Sequence, residues 1–385
     1  MDLGVVAGLA GETGIAELLA CGLLVETADG GARFRHPLVR DALYEGVPWL
    51  RRRTLHRAIA EELQRAGSDA GEVAAHWLAA RDSGRALEAL RQAIADRAAV
   101  HAYRDATRLG HKAFEIWPEG ERVEARVAAL EQHGRCAELA GDLGEAAIAQ
   151  RDVVTARRAS GAGRALADAE RRMASIYELQ GDRERALAAR RVAAEAFAAN
   201  DLAGEAAAER LVIAGYLQSA GVHDEAGAVA AVARDEARRA ARADLQARAM
   251  GLEGVARVKG GAFDEGMATI REALSVALER ELSAVAAEVY QRLGTAKEIA
   301  GDYAGARDAL HTALGLCDTT HDGLHHTCVS CMAYVLRELG EWDEAHDLCT
   351  ELIAPGSSPQ ETLVADGVLG AIEVWRGTAG AAPRC

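Results

Sequence analysis

GDLGEA at residues 141–146 is followed at 181–186 by GDRERA, at 221–226 by GVHDEA, at 261–266 by GAFDEG, at 301–306 by GDYAGA and at 340–345 by GEWDEA. The leading glycines, Gly141, Gly181, Gly221, Gly261, Gly301 and Gly340, stand 40 residues apart four times and then 39. Five residues after each comes a small side chain: Ala146, Ala186, Ala226, Gly266, Ala306 and Ala345. Seven residues before each comes another: Gly134, Ala174, Ala214, Gly254, Gly294 and Ala333. Glycine supplies the left-handed residue that closes a helix, and an acidic residue near the next start suits the dipole of the following helix. Small residues on both sides of the turn let the two helices cross closely. Met173, Ile176, Tyr177 and Leu179, and likewise Leu293, Ala296 and Ile299, recur at helical spacing and are expected to form the inward stripe.

A self-similar period of this length means stacked helical hairpins, each covering its neighbour's apolar face. The expected fold class is all-α, an α-solenoid of hairpins with a period of about 40 residues over 121–376, preceded by a small winged-helix module. Residues 67–120 hold amphipathic segments without the glycine phase, an atypical helical repeat or linker that ends at Pro118 and Gly120. Residues 1–66 have another grammar. A helix-like GIAELLACG (14–22) precedes strand-like LLVET (23–27), a turn at Asp29-Gly30-Gly31, strand-like ARFRH (32–36), and helices from Pro37 and from about Pro48. Helix, hairpin, helix is the order of a winged helix. Residues 377–385 are expected to be a disordered or truncated tail.

Two small residues twelve apart, with a third seven further on, resemble the signature of the tetratricopeptide (TPR) repeat. The third position is Val153, Ala193, Ala233, Ala273, Ala313 and Leu352, so four of the six units match fully. The period exceeds the usual length of about 34 residues and looks like the lengthened variant of maltose-activator-type bacterial regulators, over residues 125 to 376. LLVETADGGARFRHPLVRDALYEGVPWLRRRTLHRAIAEEL (23–63) resembles the winged-helix end of the ATPase module in LuxR-family regulators and related STAND-type signalling ATPases with TPR tails. That resemblance implies an ATPase domain upstream, a helix-turn-helix downstream, transcriptional control as output, and a chain that is a fragment of a longer protein. It also gives His36 the part of a histidine that faces bound nucleotide when an ATPase domain is present, with Arg35 and Arg40 as lesser candidates.

Composition narrows the classes. Hydrophobic residues make up 50% and charged residues 27%, as in soluble globular chains, while aromatic content is only 4%, so close helix approach must replace large anchors. A formal net charge of -15, from 59 acidic and 44 basic residues, repels polyanions and argues against direct nucleic-acid contact by this segment. Seven cysteines, an odd number, read as mostly reduced thiols of a cytoplasmic protein. No apolar run approaches the roughly 20 residues of a membrane span, and no membrane association is expected.

Catalytic patterns are missing from the sequence: GLAGETG (8–14) lacks the lysine of a phosphate-binding loop, and neither GxSxG nor HExxH occurs. No enzyme activity and no cofactor are expected. His321, His325, His326, Cys328 and Cys331 in THDGLHHTCVSC (320–331) have the chemistry of zinc ligands. A CxxC within one helix does not converge four ligands, and a second CxxC is absent, so no metal is assigned. Arg51, Arg52 and Arg53, with His56 and Arg57, read as a solvated helix face or a docking surface for the acidic stack, without aromatic interleaving. Trp342, Tyr303 and Phe263 occupy one repeat position and are expected to be core.

The function implied is a non-catalytic sensor or scaffold segment that binds a protein, peptide or small effector through the groove of the repeats. A free-standing TPR adaptor, and the regulatory tail of a nucleotide cyclase or protein kinase, are the competing readings.

Overall fold

Alanine-rich runs of seventeen residues alternate with short breaks carrying glycine and aspartate, a composition that favours helices punctuated by tight turns. The structure, a computed structural model, describes residues 12–27, 31–118, 120, 123–320, 324–353 and 359–377. It divides into two compact units, Met1–Ser160 and Gly161–Cys385. The first unit holds α1 (Glu12–Ala20), β1 (Leu24–Glu26), β2 (Ala32–Phe34), α2 (Pro37–Gly46), α3 (Trp49–Arg65), α4 (Ala70–Ala79), α5 (Ser83–Ala99), α6 (Tyr103–Glu115), α7 (Val123–Leu139) and α8 (Leu143–Ser160). The second holds α9 (Gly163–Leu179), α10 (Arg183–Ala199), α11 (Ala203–Ser219), α12 (His223–Arg239), α13 (Ala243–Lys259), α14 (Phe263–Glu279), α15 (Ser283–Ile299), α16 (Tyr303–Thr320), α17 (Leu324–Leu339), α18 (Trp342–Leu352) and α19 (Pro359–Trp375).

Each turn stops one helix and starts the next with the same few residues. Gly181 takes φ +76°, Asp182 N–H bonds back to Tyr177 O at 2.9 Å, and the Asp182 carboxylate then accepts Arg185 N–H at 3.1 Å. Asp142 and Asp302 cap α8 and α16 in the same way. Turns between hairpins place non-glycine residues in this left-handed region, namely Asp201, Ala241 and Glu281 in the second unit. Each carries a strain of roughly 1–2 kcal/mol that the flanking helix packing holds in place.

The helical phase does not stop where the glycine signature does. Stepping back 40 residues from Gly141 lands on His101, with φ +59°, and five residues on is buried Ala106. Arg81, at φ +57°, marks the turn before it. The signature was hidden because histidine stands where glycine is usual and Ile94 where a small residue is usual.

The expected winged-helix module appears as a two-stranded antiparallel hairpin with flanking helices. Leu24 pairs with Phe34, Val25 with Arg33 and Glu26 with Ala32, and the turn at 28–30 lies outside the described residues. Such a hairpin is marginal unless a third strand or a helix covers it. Among the described residues up to 46 the buried apolar side chains are Ile15, Leu24 and Ala32, and α2 buries no residue. The structure therefore does not make residues 12–46 a packed winged-helix domain. From α3 onward, α4 through α8 pack in sequence order over Trp77, Leu90, Ala106, Ala113 and Cys136.

In the second unit consecutive helices pack pairwise, and α11, α13, α15, α17 and α19 also pack on one another in that order. The first helix of each hairpin is called A (α9, α11, α13, α15, α17, α19) and the second B. The repeat positions Ala174, Ala186, Ala214, Ala226, Gly254, Gly266, Gly294, Ala306, Ala333 and Ala345 all lie buried, as do Gly134 and Ala146 in the first unit. The inward stripe needs one correction. Met173 and Ile176 are buried, but Leu179 and Ile299 are exposed, because the final A-helix residue points away from the B partner.

Gly134 has room for a methyl group, since an added Cβ would sit 3.5 Å from Ala149 Cβ and 3.7 Å from Ala146 O. Gly134→Ala is thus expected to stabilise the first unit by about 0.5–1 kcal/mol, the ordinary gain from replacing a helical glycine. Urea unfolding followed by the protection of α7 amides checks it.

Candidate functional site: the face shared by the A helices

Buried charge is the chemistry this alanine core cannot supply by size alone. Arg190 on α10 reaches Glu178 on α9 (Nε to Oε1, 2.6 Å) and Glu209 on α11 (Nη1 to Oε2, 2.6 Å), and Arg171 meets Glu209 at 2.8 Å. Arg210 pairs with Glu236 at 2.5 Å, and Arg234 with Glu253 at 2.7 Å. Arg257 bonds both Glu253, at 2.5 Å, and Thr269 Oγ1, at 3.0 Å. Further on, Arg248 pairs with Glu288 at 2.8 Å. Charges withdrawn from water are tolerated only when so matched, and the matches run from helix to helix along the unit.

Where the A helices end, side chains from successive repeats form a row. Lys259 ends α13, Glu298 is next to last in α15, Arg337 is two from the end of α17, and Trp375 ends α19. Their separations are 39, 39 and 38 residues, near the 40-residue period, so they stand within one residue of a common register. Arg337 lies 4.3 Å from the Tyr334 ring centre and 5.8 Å from that of Trp375, and its guanidinium is held by Glu338. Trp375 is 54% exposed and stands 5.7 Å from Trp342, whose indole N–H donates to Arg337 O at 3.1 Å. On the same helices Gln291 donates to Cys331 Sγ at 3.7 Å across one repeat. Aromatic rings, a guanidinium and a carboxyl side by side make a surface suited to contact with another chain.

Burial pushes the Glu298 carboxyl above the usual carboxylate range, while Lys259 and Arg337 pull it down. A carboxyl raised in the fold contributes stability that is full below its unfolded value and is lost as pH rises through the folded one. Glu298→Gln is expected to raise the melting temperature near neutral pH and to match the wild type below about pH 4.3. Thermal melts over that range read it.

The other singled-out residues fall elsewhere. His36 is exposed at the N-cap of α2 and makes no side-chain cap bond. Arg40 pairs with its neighbour Asp41 at 2.6 Å. Cys328 is buried among Ala287, Ala313 and Cys317, and burial pushes its thiol and that of Cys331 upward, away from the thiolate a metal needs. His326 is exposed, His325 half-buried, and His321 lies outside the described residues. Tyr303 and Trp342 pack against the last core cluster, but Phe263 is 36% exposed. The expected tail begins at Gly377, and 378–385 lie outside the described residues.

The basic run does have aromatic company. Tyr44, Trp49, Arg52, Arg53, His56 and Arg81 surround a cavity of about 550 Å³ between α2, α3 and α4. Arg52 lies 4.9 Å from the centre of the Tyr44 ring and Arg53 5.8 Å from that of Trp49. Behind them His56 Nδ1 and His76 Nδ1 are 2.9 Å apart, and Tyr44 Oη is 3.0 Å from His56 Nε2. Burial holds both imidazoles below the usual histidine range, helped at His56 by Arg52 and at His76 by His56. Stability from depressed histidines is present above about pH 6.5 and lost as pH falls through the folded values. Amide protection in α3 and α4 is expected to drop between pH 7 and pH 5, roughly one order of magnitude per unit of pKa shift, and to drop less in His76→Asn.

No protein-family model matches the chain, and no curated protein does. Solved structures do resemble it. The apo form of RapI shares 13% identity over 78% of this chain and 84% of that one, with a TM-score of 0.48. A signal-transduction ATPase (STAND) with a tetratricopeptide repeat sensor from Pyrococcus horikoshii shares 12% over 98% of this chain and 58% of its own, at 0.48. A tetratricopeptide repeat protein from Parabacteroides merdae shares 14% over 67% and 90%, at 0.49. These are likenesses of helical-repeat architecture and say nothing of what this chain binds. No helix among the described residues is long and apolar enough to cross a membrane.

Proposed function

We propose that this chain is a non-catalytic repeat scaffold that binds a protein or peptide along the A-helix face of its second unit. The row Lys259, Glu298, Arg337 and Trp375 carries this reading, because successive A helices each present a polar or aromatic side chain within their last turn. The mixed charge of the row suits an extended segment with both an apolar anchor for Trp375 and groups that pair with Lys259 and Glu298.

The finer assignment is to the sensor segment of a signalling ATPase or LuxR-type transcriptional regulator. Residues 23–63 support it by resemblance, together with the exposed apolar side chains Leu38 (81% exposed), Trp49 and Leu50, and the exposed His36. In that setting effector binding changes how the repeats meet the N-terminal segment and so biases an upstream ATPase. Sequencing the flanking genomic DNA tests it: a phosphate-binding loop upstream supports the assignment, and an unrelated neighbour on each side contradicts it.

Peptide display against the full chain tests the scaffold itself. Selected peptides are expected to lose at least about tenfold in affinity on Trp375→Ala or Lys259→Glu. Peptides that bind both variants as tightly as the wild type would place recognition elsewhere.

A further inference from the structure

His111 on α6, His133 on α7 and Glu145 in the first turn of α8 bring three ligand atoms within 4.8 Å of one another. His133 Nε2 lies 2.7 Å from Glu145 Oε1, and His111 Nδ1 lies 3.7 Å from the same oxygen. The two imidazoles meet edge to face, with centres 5.1 Å apart, and the Phe114 ring also meets His133 edge to face at 5.2 Å.

Two features set the group apart from the ion pairs of the second unit. There the buried glutamates Glu209, Glu236 and Glu253 are each met by guanidinium groups. Glu145, mostly buried at 18% exposure, is met by two imidazoles instead. Secondly, His133 is 2% exposed, and its Nδ1 makes no hydrogen bond. The ring is seated against Gly110, where any side chain would collide with it. A histidine placed so deep, with one nitrogen unpaired and the other aimed at a carboxylate and a second histidine, is arranged for more than packing.

The geometry points to a binding site for a divalent transition metal, Zn²⁺ in the first instance, held by His111, His133 and Glu145 with a fourth position open. Two imidazoles and one carboxylate suit the borderline softness of Zn²⁺, which takes nitrogen and oxygen ligands at about 2.0–2.2 Å. Ligand atoms 2.7 and 3.7 Å apart need only side-chain adjustment to reach the separations of a tetrahedral shell. In the complex the metal takes the Nε2 lone pair of His133 and the ring proton resides on Nδ1. His111 is about half exposed, so the open position faces solvent and accepts water or a carboxylate from another molecule. The ion ties three successive helices together.

The test is equilibrium dialysis of the full, chelator-stripped chain against Zn²⁺, with Co²⁺ absorption as a reading of coordination. One ion per chain is expected at neutral pH, with affinity falling at lower pH because protons compete with the metal for its ligands. His111→Ala removes an exposed ligand without opening the core, and its circular dichroism confirms the fold. Losing a partner behind a ligand costs roughly 10–100-fold, so losing the ligand itself is expected to weaken binding more than about 100-fold. The double variant Cys328→Ser/Cys331→Ser is expected to bind as the wild type does. Failure of the wild type to bind Zn²⁺ at micromolar concentration, or equal binding by His111→Ala, overturns the proposal.

Discussion

Glu253→Ala is expected to destabilise the second unit by about 3 kcal/mol, the lower part of the range for leaving a buried ion pair half-made. Glu253 is 1% exposed and accepts two hydrogen bonds from Arg234, at 2.7 and 3.0 Å, and one from Arg257. Its removal takes the shared acceptor from both guanidiniums, leaving Arg234 its bond to Asp235 at 3.2 Å and Arg257 its bond to Thr269 Oγ1 at 3.0 Å. The value sits low in the range because Arg234 and Arg257 keep some contact with water and can turn outward. Replacing all three side chains by apolar residues of similar volume is expected to cost little, since the desolvation penalty disappears with the charges. Urea unfolding of the single and triple variants separates a role in stability from a role in fixing which helix faces which. A triple variant as stable as the wild type, but with broadened amide resonances in α12 to α14, would assign the triad to specificity.

The second large effect concerns helix approach. A Cβ built on Gly266 would stand 2.5 Å from Gly254 O and 2.9 Å from Val258 N, both backbone atoms that cannot swing aside. Gly254 returns the constraint, its Cβ falling 2.5 Å from Ile270 Cγ1 and 2.8 Å from Gly266 O. Gly266→Val must therefore separate α13 from α14 and is expected to cost about 3 kcal/mol, the upper end for overpacking. The intrinsic helix preference of valine over glycine offsets only a few tenths. Gly134→Ala, at the position equivalent to Gly254, has the opposite expected sign because its neighbours leave ordinary contact distance.

Those paired glycines show what the sequence makes legible. A small residue seven before and five after each turn glycine follows from the crossing of two helices, and a single chain with six such turns displays it openly. The seventh turn, at His101, was not visible, because its left-handed conformation is held by packing on either side rather than by glycine. Leu179 and Ile299, last in their A helices, fall outside the buried stripe, since periodicity gives a stripe but not where a helix ceases to be covered.

The polar centres were partly within reach. Eight residues before the turn glycines stand His133, Met173, Ile213, Glu253, Leu293 and Met332. Four are apolar, as a core column requires, and the two exceptions are the centre of the His–Glu group and the centre of the deepest ion-pair triad. A polar residue in an otherwise apolar repeat column was thus a readable signal. Its partners were not readable: His111 and Glu145 come from other helices at spacings no local pattern connects. The pocket by Arg52 and Arg53 was hidden for the same reason, because Tyr44 approaches from α2 and Arg81 follows α4.

Hydrogen–deuterium exchange of the full chain, alone and saturated with a display-selected peptide, tests the central claim most directly. New protection is expected in the A helices α13, α15, α17 and α19, over residues 243–259, 283–299, 324–339 and 359–375, with little change in the B helices. Protection confined to the B helices, or to the first unit, would contradict it.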